Sequence, residues 1–391
     1  MAEPSEPARR DRAEADRTNT FAHRMWRIAA AHVSGGNVAT LLHDGPATFD
    51  AMLALIAGAR DSVALESYIF RSDSVGQRFA PALVEAARRG VRVRVLYDWV
   101  GSRGITGAFV RGLRDAGVDA RVFNPPRLGA RWLGAVPRDH RKLLVVDGRA
   151  GITGGVGLGH EWSEGEHPGR LGSGPWRDTA VQIAGPAAGA MAAAFERMWA
   201  LTPRYERGHP DDSRPTTAPA EAPGSPGAQG ATGVVGIVEG EPGRYRVSRA
   251  LESVAVEARR SIWIADAYFT PSPDLVEALT GAARDGVDVR LLVPGRGDHA
   301  WVVPVTRRFY PRLLRNGVRI WEWQGEMMHA KTQVSDGRYA RVGSTDFNPL
   351  GVAINFELDA VIDDAQLGGR MEAMFEEDLA RSREVSAPGG R

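Results

Sequence analysis

The sequence predicts an α/β protein of two lobes related by a pseudo-twofold axis, each a mostly parallel sheet flanked by helices. Three observations lead there. Val91, Val93 and Val95 alternate with Arg92 and Arg94, and such β-type runs are separated by longer stretches of helical spacing that close on glycine, the alternation of a βαβ layout. The same syntax returns about two hundred residues later, as whole-unit duplications do. Ala59-Arg60-Asp61-Ser62-Val63 corresponds to Ala258-Arg259-Arg260-Ser261-Ile262, Ala86-Ala87-Arg88-Arg89-Gly90-Val91 to Ala282-Ala283-Arg284-Asp285-Gly286-Val287, and Ala116-Gly117-Val118 to Asn316-Gly317-Val318. Between the copies, residues 204–234 are rich in Pro, Ala, Gly, Ser and Thr, which cannot build a core and read as a flexible linker.

The chain divides accordingly. Residues 1–35 form a charged, Pro- and Ala-rich tail and, over 21–33, a short basic amphipathic helix. That helix is expected to cover the first lobe, with a membrane-surface contact as the competing reading. The first lobe, 36–203, opens with a strand over 37–42 and a turn at Gly45 into a helix over 48–58. A strand over 62–70 follows, rich in β-branched and aromatic residues. Next come a helix over 79–89 that Gly90 can close in a left-handed conformation, a strand over 91–95, a helix over 108–116 and a strand over 118–123. The second lobe, 235–385, repeats this order.

Composition narrows the function. With 49 basic and 48 acidic residues the net charge is +1, which gives no general basic field for nucleic acid. Zero cysteines exclude disulfides, thiolate metal sites and cysteine nucleophiles. No apolar run reaches the 18 or so residues that span a bilayer, and no signal peptide is evident. The expected location is therefore cytoplasmic, with peripheral association to the inner membrane.

The chemistry is concentrated in Asp139-His140-Arg141-Lys142-Leu143-Leu144-Val145-Val146-Asp147-Gly148, an H-x-K-x4-D pattern that recurs as His329-Ala330-Lys331 followed by Asp336. Lys142 and Lys331 are the only two lysines in the chain; every other cation is arginine. An ammonium is a compact charge that sits against one phosphate oxygen, whereas a guanidinium is a broad planar fork, so a chain this biased to arginine keeps lysine where the smaller shape matters. One His and one Lys from each lobe point to a single site on the interface between lobes, so a monomer suffices for a complete site. His299 and His160 are further candidates for the pocket. The segment 127–133 mixes Arg, Trp and Leu as an interfacial loop would.

These motifs resemble the phospholipase D superfamily and, within it, the bacterial cardiolipin synthases. The resemblance runs from Gly36-Asn37 through Glu66-Ser67-Tyr68-Ile69-Phe70, Val100-Gly101-Ser102, the first motif, Thr153-Gly154-Gly155 and Trp176-Arg177-Asp178-Thr179. It continues through the second motif, Val342-Gly343-Ser344-Thr345 and Asn355-Phe356-Glu357. It implies a phosphatidyltransferase that needs no metal or other cofactor and acts on phospholipid at an anionic membrane surface. Transfer between two phosphatidylglycerols through a phosphohistidine is the implied reaction; a phospholipase D, another phosphodiesterase or a nuclease using water is the alternative. One motif histidine would attack phosphorus and the other would serve as acid and base, with His140 the nucleophile by analogy and the pseudo-symmetry leaving the order open. Lys142 and Lys331 would hold phosphoryl oxygens, Asp178 and Glu357 would orient the two imidazoles, and Asp147 and Asp336 would be structural. The family's usual Gly-Gly/Ser-x-Asn segment is altered here. Gly157 stands at the Asn position in the first lobe and Asp346 in the second, with Asn348 two residues on. Ser344 and Asn348 are the expected phosphate contacts.

Overall fold

The computed structural model describes residues 20–125, 137–163, 174–202, 233–299 and 301–386. The linker 204–234 thus falls almost wholly outside the described residues, as does the loop 127–133.

In the first half the chain runs α1 (20–29), β1 (His32–His43), α2 (Asp44–Gly58), β2 (Ser62–Ser67), α3 (Ser74–Arg88), β3 (Arg92–Asp98), α4 (Gly107–Asp115), β4 (Asp119–Phe123), β5 (Lys142–Val146), β6 (Ala150–Gly154), β7 (Thr179–Ala184) and α5 (Pro186–Leu201). The second half repeats it: β8 (Gly233–Gly240), α6 (Arg246–Glu257), β9 (Ser261–Asp266), α7 (Pro273–Arg284), β10 (Asp288–Pro294), α8 (Val302–Arg307), α9 (Tyr310–Arg315), β11 (Arg319–Trp323), β12 (Lys331–Ser335), β13 (Tyr339–Gly343), α10 (Pro349–Ala353), β14 (Glu357–Asp363), α11 (Ala365–Ala380) and β15 (Ser382–Glu384).

The fifteen strands among the described residues join one sheet in the order β15-β11-β10-β9-β12-β13-β14-β8-β1-β7-β6-β5-β2-β3-β4, which reads nearly the same from either end about the β8–β1 seam. Each lobe is mixed. Its parallel part is β2-β3-β4 or β9-β10-β11, where helices make the crossovers. The strands that follow each motif are antiparallel, because two-residue turns can join only antiparallel neighbours. Those turns are Asp147-Gly148 and Asp336-Gly337, with φ of 53° and 62° in the first and 54° and 63° in the second. Positive φ at both central positions gives the primed turn that matches strand twist.

The β1 strand is longer than the sequence predicts, because it serves both lobes. Val38–His43 pair with β7, while His32–Ser34 pair with β8 across an irregularity at Gly35-Gly36. Asn37 holds that irregularity: its Nδ2 donates to Ser34 O at 2.7 Å and its Oδ1 accepts from Ala187 N at 2.8 Å.

Helices cover both faces. One core belongs to the first lobe, with Phe49, Phe79 and Leu83, and one to the second, with Leu251, Leu279 and Leu313. A third is shared: Phe195 and Trp199 of α5 meet residues from both halves of the sheet, as do Met371 and Phe375 of α11. The α1 helix departs from the sequence reading, which docks it on the first lobe. Phe21, Met25 and Ala29 are buried in the second lobe's core, Phe21 stacks on Tyr339 at 5.6 Å, and Arg24 pairs with Glu257. Helical spacing shows that one face is apolar, but not which core receives it.

Candidate active site

Both motif lysines begin a strand. Lys142 lies opposite Ser67, the last residue of β2, and Lys331 opposite Asp266, the last residue of β9. The motifs therefore sit at the carboxyl ends of the parallel strands, where open α/β sheets place their ligands. Each ammonium folds back on its own motif, Lys142 Nζ donating to His140 O and Lys331 Nζ to His329 O, both at 2.7 Å.

The two lobes are laced together at the histidines. His140 N donates to Phe356 O at 2.9 Å, and Phe356 N to Arg138 O at 2.9 Å. His329 N donates to Arg177 O at 2.7 Å, and Arg177 N to Met327 O at 2.9 Å. Each bridge delivers the next residue's carboxylate to the opposite lobe's imidazole. Glu357 of the second lobe lies 2.9 and 3.1 Å from His140 Nδ1, and Asp178 of the first lobe lies 2.8 Å from His329 Nδ1. A carboxylate that accepts Nδ1–H fixes the tautomer and leaves Nε2 as the nitrogen with a lone pair.

The surroundings of the pairs differ. Glu357 accepts a hydrogen bond from Ser344 Oγ, while Asp178 accepts from Trp162 Nε1 at 2.8 Å and from Thr179 N at 2.7 Å. Gly155, at the place of Ser344, leaves room only for Asp178: a Cβ there would stand 2.1 Å from its Oδ1. His329 is walled by Trp162 and Trp176, each with its ring centre 5.4 Å away, and by Tyr268 at 6.0 Å. His140 meets Tyr68 edge-on at 4.8 Å.

Burial dominates the electrostatics. It pushes Glu357 up to about 8 and Asp178 up to about 6, with the lysines opposing. It pulls Lys142 down to about 8, Glu357 opposing. Both imidazoles fall well below their ordinary value, first through burial and then through lysine charge: Lys142 and Lys331 both act on His140, and both, with His140 itself, act on His329. Each histidine thus feels the lysines of both lobes.

The remaining expected residues divide. Asp147 accepts from the backbone N–H groups of Arg60, Asp61 and Ser62 at 2.8–3.0 Å, and Asp336 does the same for Arg259, Arg260 and Ser261 at 2.8–3.2 Å. Both therefore anchor the start of a parallel strand, at the far end of the motif strand from the lysine. Ser344 and Asn348 each have protein partners. Ser344 is fully buried, its hydroxyl donating to Glu357 and accepting from Leu358 N. Asn348 caps α10, its Oδ1 accepting from Gly351 N at 2.9 Å and its Nδ2 donating to Tyr268 O at 3.3 Å. Backbone groups claimed both side chains, a competition the motif spacing does not reveal.

His299 lies at the rim, exposed, its ring 6.3 Å from Tyr268 and 6.4 Å from the exposed Trp301. His160 bonds Asp73 at 3.0 Å, the residue that caps α3. Sequence reasoning missed the aromatic wall and the buried Glu66–Asp139 pair beside His140. Burial raises both carboxyls, Glu66 well above its ordinary value and Asp139 to about 7, as for two acids that share a proton. Tyr68 and Trp176 stood inside the landmark stretches, which was the available signal.

Two imidazole–carboxylate pairs, crossed between duplicated lobes beside a pair of lysines, make one site of an enzyme class built on a two-lobed α/β sheet. Comparison with known proteins gives that class its family. The profile described as "Cardiolipin synthase, PLD-like domain" matches residues 52–167 and 253–379. Cardiolipin synthase of Geobacillus kaustophilus is 35% identical over 343 residues, 86% of this chain and 65% of that protein. The major cardiolipin synthase of Bacillus subtilis is 32% identical over 354 residues, 90% of this chain and 70% of that protein. The chain belongs to the cardiolipin synthase family of phospholipase D-like proteins, and it spans about two thirds of the length of these relatives. The fold is that of the phosphatidylserine synthase of Haemophilus influenzae, with a TM-score of 0.67 at 13% identity over 94% of this chain and 92% of that one.

Proposed function

We propose that the protein is a phosphatidyltransferase that makes cardiolipin, moving a phosphatidyl group from one phosphatidylglycerol to the hydroxyl of another through a phosphohistidine. The observation that carries this reading is the crossed arrangement: each imidazole is held by the other lobe's carboxylate, over two lysines that both histidines feel.

In the proposed sequence, Lys142 and Lys331 receive the non-bridging oxygens of the phosphodiester, and their charge stabilises the five-coordinate transition state. The anion offsets the lysine charge that depresses both imidazoles, so one histidine can carry a proton while the other stays neutral. The neutral Nε2 attacks phosphorus and displaces glycerol, which takes the proton from the second imidazole. The second histidine then removes a proton from the incoming hydroxyl, whose oxygen displaces the first histidine and regenerates the free imidazole. Splitting one hard displacement into two is the benefit of the covalent route.

One feature supports transfer over hydrolysis, and a second supports a lipid substrate. The rings of Trp162, Trp176 and Tyr268 disfavour water on the His329 side of the site, from which a water would have to be activated if His140 carries the phosphoryl group. Trp99 and Trp301 are solvent-accessible just beyond β3 and β10, at the same end of the sheet as the motifs, where indoles suit an anionic bilayer surface. The apolar face of α1 is buried and is not the membrane contact proposed here. No helix among the described residues is long and apolar enough to cross a membrane.

The test is to incubate the purified protein with phosphatidylglycerol vesicles at low and high salt and to identify the products. Cardiolipin and glycerol are expected, with less of both at high salt. Phosphatidic acid in place of cardiolipin would show that water is the acceptor, and no lipid product at either salt would overturn the reading.

A further inference from the structure

Asp346 has no counterpart in the first lobe. Gly157 holds that place, and a Cβ there would stand 2.8 Å from the Trp162 ring. Asp346 is buried beside the second motif's lysine, its Oδ1 3.2 Å from Lys331 Nζ and without a hydrogen bond of its own. Its other charged and titratable neighbours are His140 and Lys142 from the first motif, Glu357 from β14, Asp266 from β9 and Tyr268 just after β9. Asp266 is committed as an acceptor from Tyr268 N at 3.1 Å and Phe347 N at 2.9 Å.

We propose that Asp346 holds the bound phosphodiester as a neutral carboxylic acid, so that substrate binding draws a proton from solvent onto this side chain. The inference rests on the phosphodiester reading of the site and deepens it. As a carboxylate, Asp346 competes with a phosphoryl oxygen for Lys331 and repels the substrate's own negative charge. As an acid it removes that repulsion and supplies an O–H donor to the phosphoryl oxygen, the service an amide would give at the same position. Burial, the largest influence, already raises its pKa, and Glu357 adds to this; Lys331, His140 and Lys142 oppose it. A second anion brought against Lys331 weakens that opposition, so proton uptake follows from the placement. The balance is simple: carboxylate, phosphodiester anion and one solvent proton give a complex with the acid O–H bonded to the phosphoryl oxygen, and no covalent bond to phosphorus changes.

The probe is glycerophosphoglycerol, a phosphodiester that does not titrate between pH 5 and 9. Calorimetry in two buffers of different ionisation enthalpy gives the protons taken up on binding. His140, His329, Glu357, Lys142 and Asp266 titrate in both wild type and Asp346→Asn, and the substitution also shifts those that feel Asp346, so a protonated-carboxyl band in the infrared is what assigns the proton to this side chain. The variant should take up fewer protons, by up to one, at pH values where the free carboxyl is ionised. It should also bind more tightly than wild type at pH 9, by up to tenfold for each pH unit above the wild-type midpoint. Difference infrared spectra of the wild type should show a protonated-carboxyl band on binding that the variant lacks, a readout that stands even if the variant folds poorly. Binding with equal proton uptake, or without that band, overturns the role of Asp346 alone. Failure of the probe to bind either protein overturns the phosphodiester reading along with it.

Discussion

The two lobes repeat one scaffold and differ in what they place behind it. Shared between them are the lysine folded onto its histidine's carbonyl, the Asp-Gly turn that anchors a neighbouring strand, and the backbone bridge to the opposite lobe. The differences lie one layer further out. Behind His140 stand Glu357 and a serine hydroxyl; behind His329 stand Asp178, an indole N–H and a wall of aromatic rings. The repeated parts are those the proposed phosphoryl transfer would need on both sides. The divergent parts govern protonation, which must be unequal if one imidazole attacks while the other is an acid.

Removing either imidazole should abolish the comparison altogether. His140→Ala and His329→Ala are each expected to lower turnover on the order of 10⁴-fold or more while the fold persists, because the pair acts as one unit. Circular dichroism together with a lipid-product assay checks this, and more than a few per cent residual activity in either variant would contradict the two-histidine mechanism.

The orienting carboxylates should give intermediate effects that tell the lobes apart. Glu357→Gln and Asp178→Asn are expected to lower turnover by about 10²–10⁴-fold through loss of the correct tautomer. They should also change stability against pH to different extents. A carboxyl raised in the folded state adds stability that is present at low pH and lost as pH rises through its folded value. Glu357 thus weakens the fold as pH rises to about 8, and Asp178 only to about 6. Melting curves from pH 5 to 9 should therefore flatten between pH 6 and 8 in Glu357→Gln but not in Asp178→Asn. Identical profiles for the two variants would remove this distinction between the lobes.

The smallest effect on turnover should come from the residues the lobes share most closely. Asp147→Ala and Asp336→Ala each strand three backbone donors at a strand start, at a cost of about 1–3 kcal/mol in stability. Chemical denaturation should show that loss in both, with turnover of the folded fraction within about twofold of wild type. A selective collapse of turnover in one of them would mean that its turn reaches the chemistry.

Much of this was legible because local rules wrote it. Alternating valines, glycines after helices and the Asp-Gly turns mark short-range structure, and two lysines in an arginine-biased chain mark the site before any fold is known. The exchange of carboxylates between lobes left no such mark. It depends on which backbone lies beside Phe356 and Arg177, a question of long-range register that no window of residues contains. The partners of Ser344 and Asn348 were hidden for a related reason: short polar side chains take the nearest backbone group or carboxylate, and those neighbours are set by β14 and α10. The α1 helix showed its apolar face but not its destination.

The strand β1, bonded to β7 on one side and to β8 on the other, makes the two half-sheets a single beam. Bending that beam at its centre would break a ladder of backbone hydrogen bonds, and α5 and α11 brace it from the core they share. A clamshell motion about this seam is therefore a poor route for bulky acyl chains to enter and leave. On the proposed reading, the substrate would instead pass over the edge of the beam, past the exposed Trp99 and Trp301.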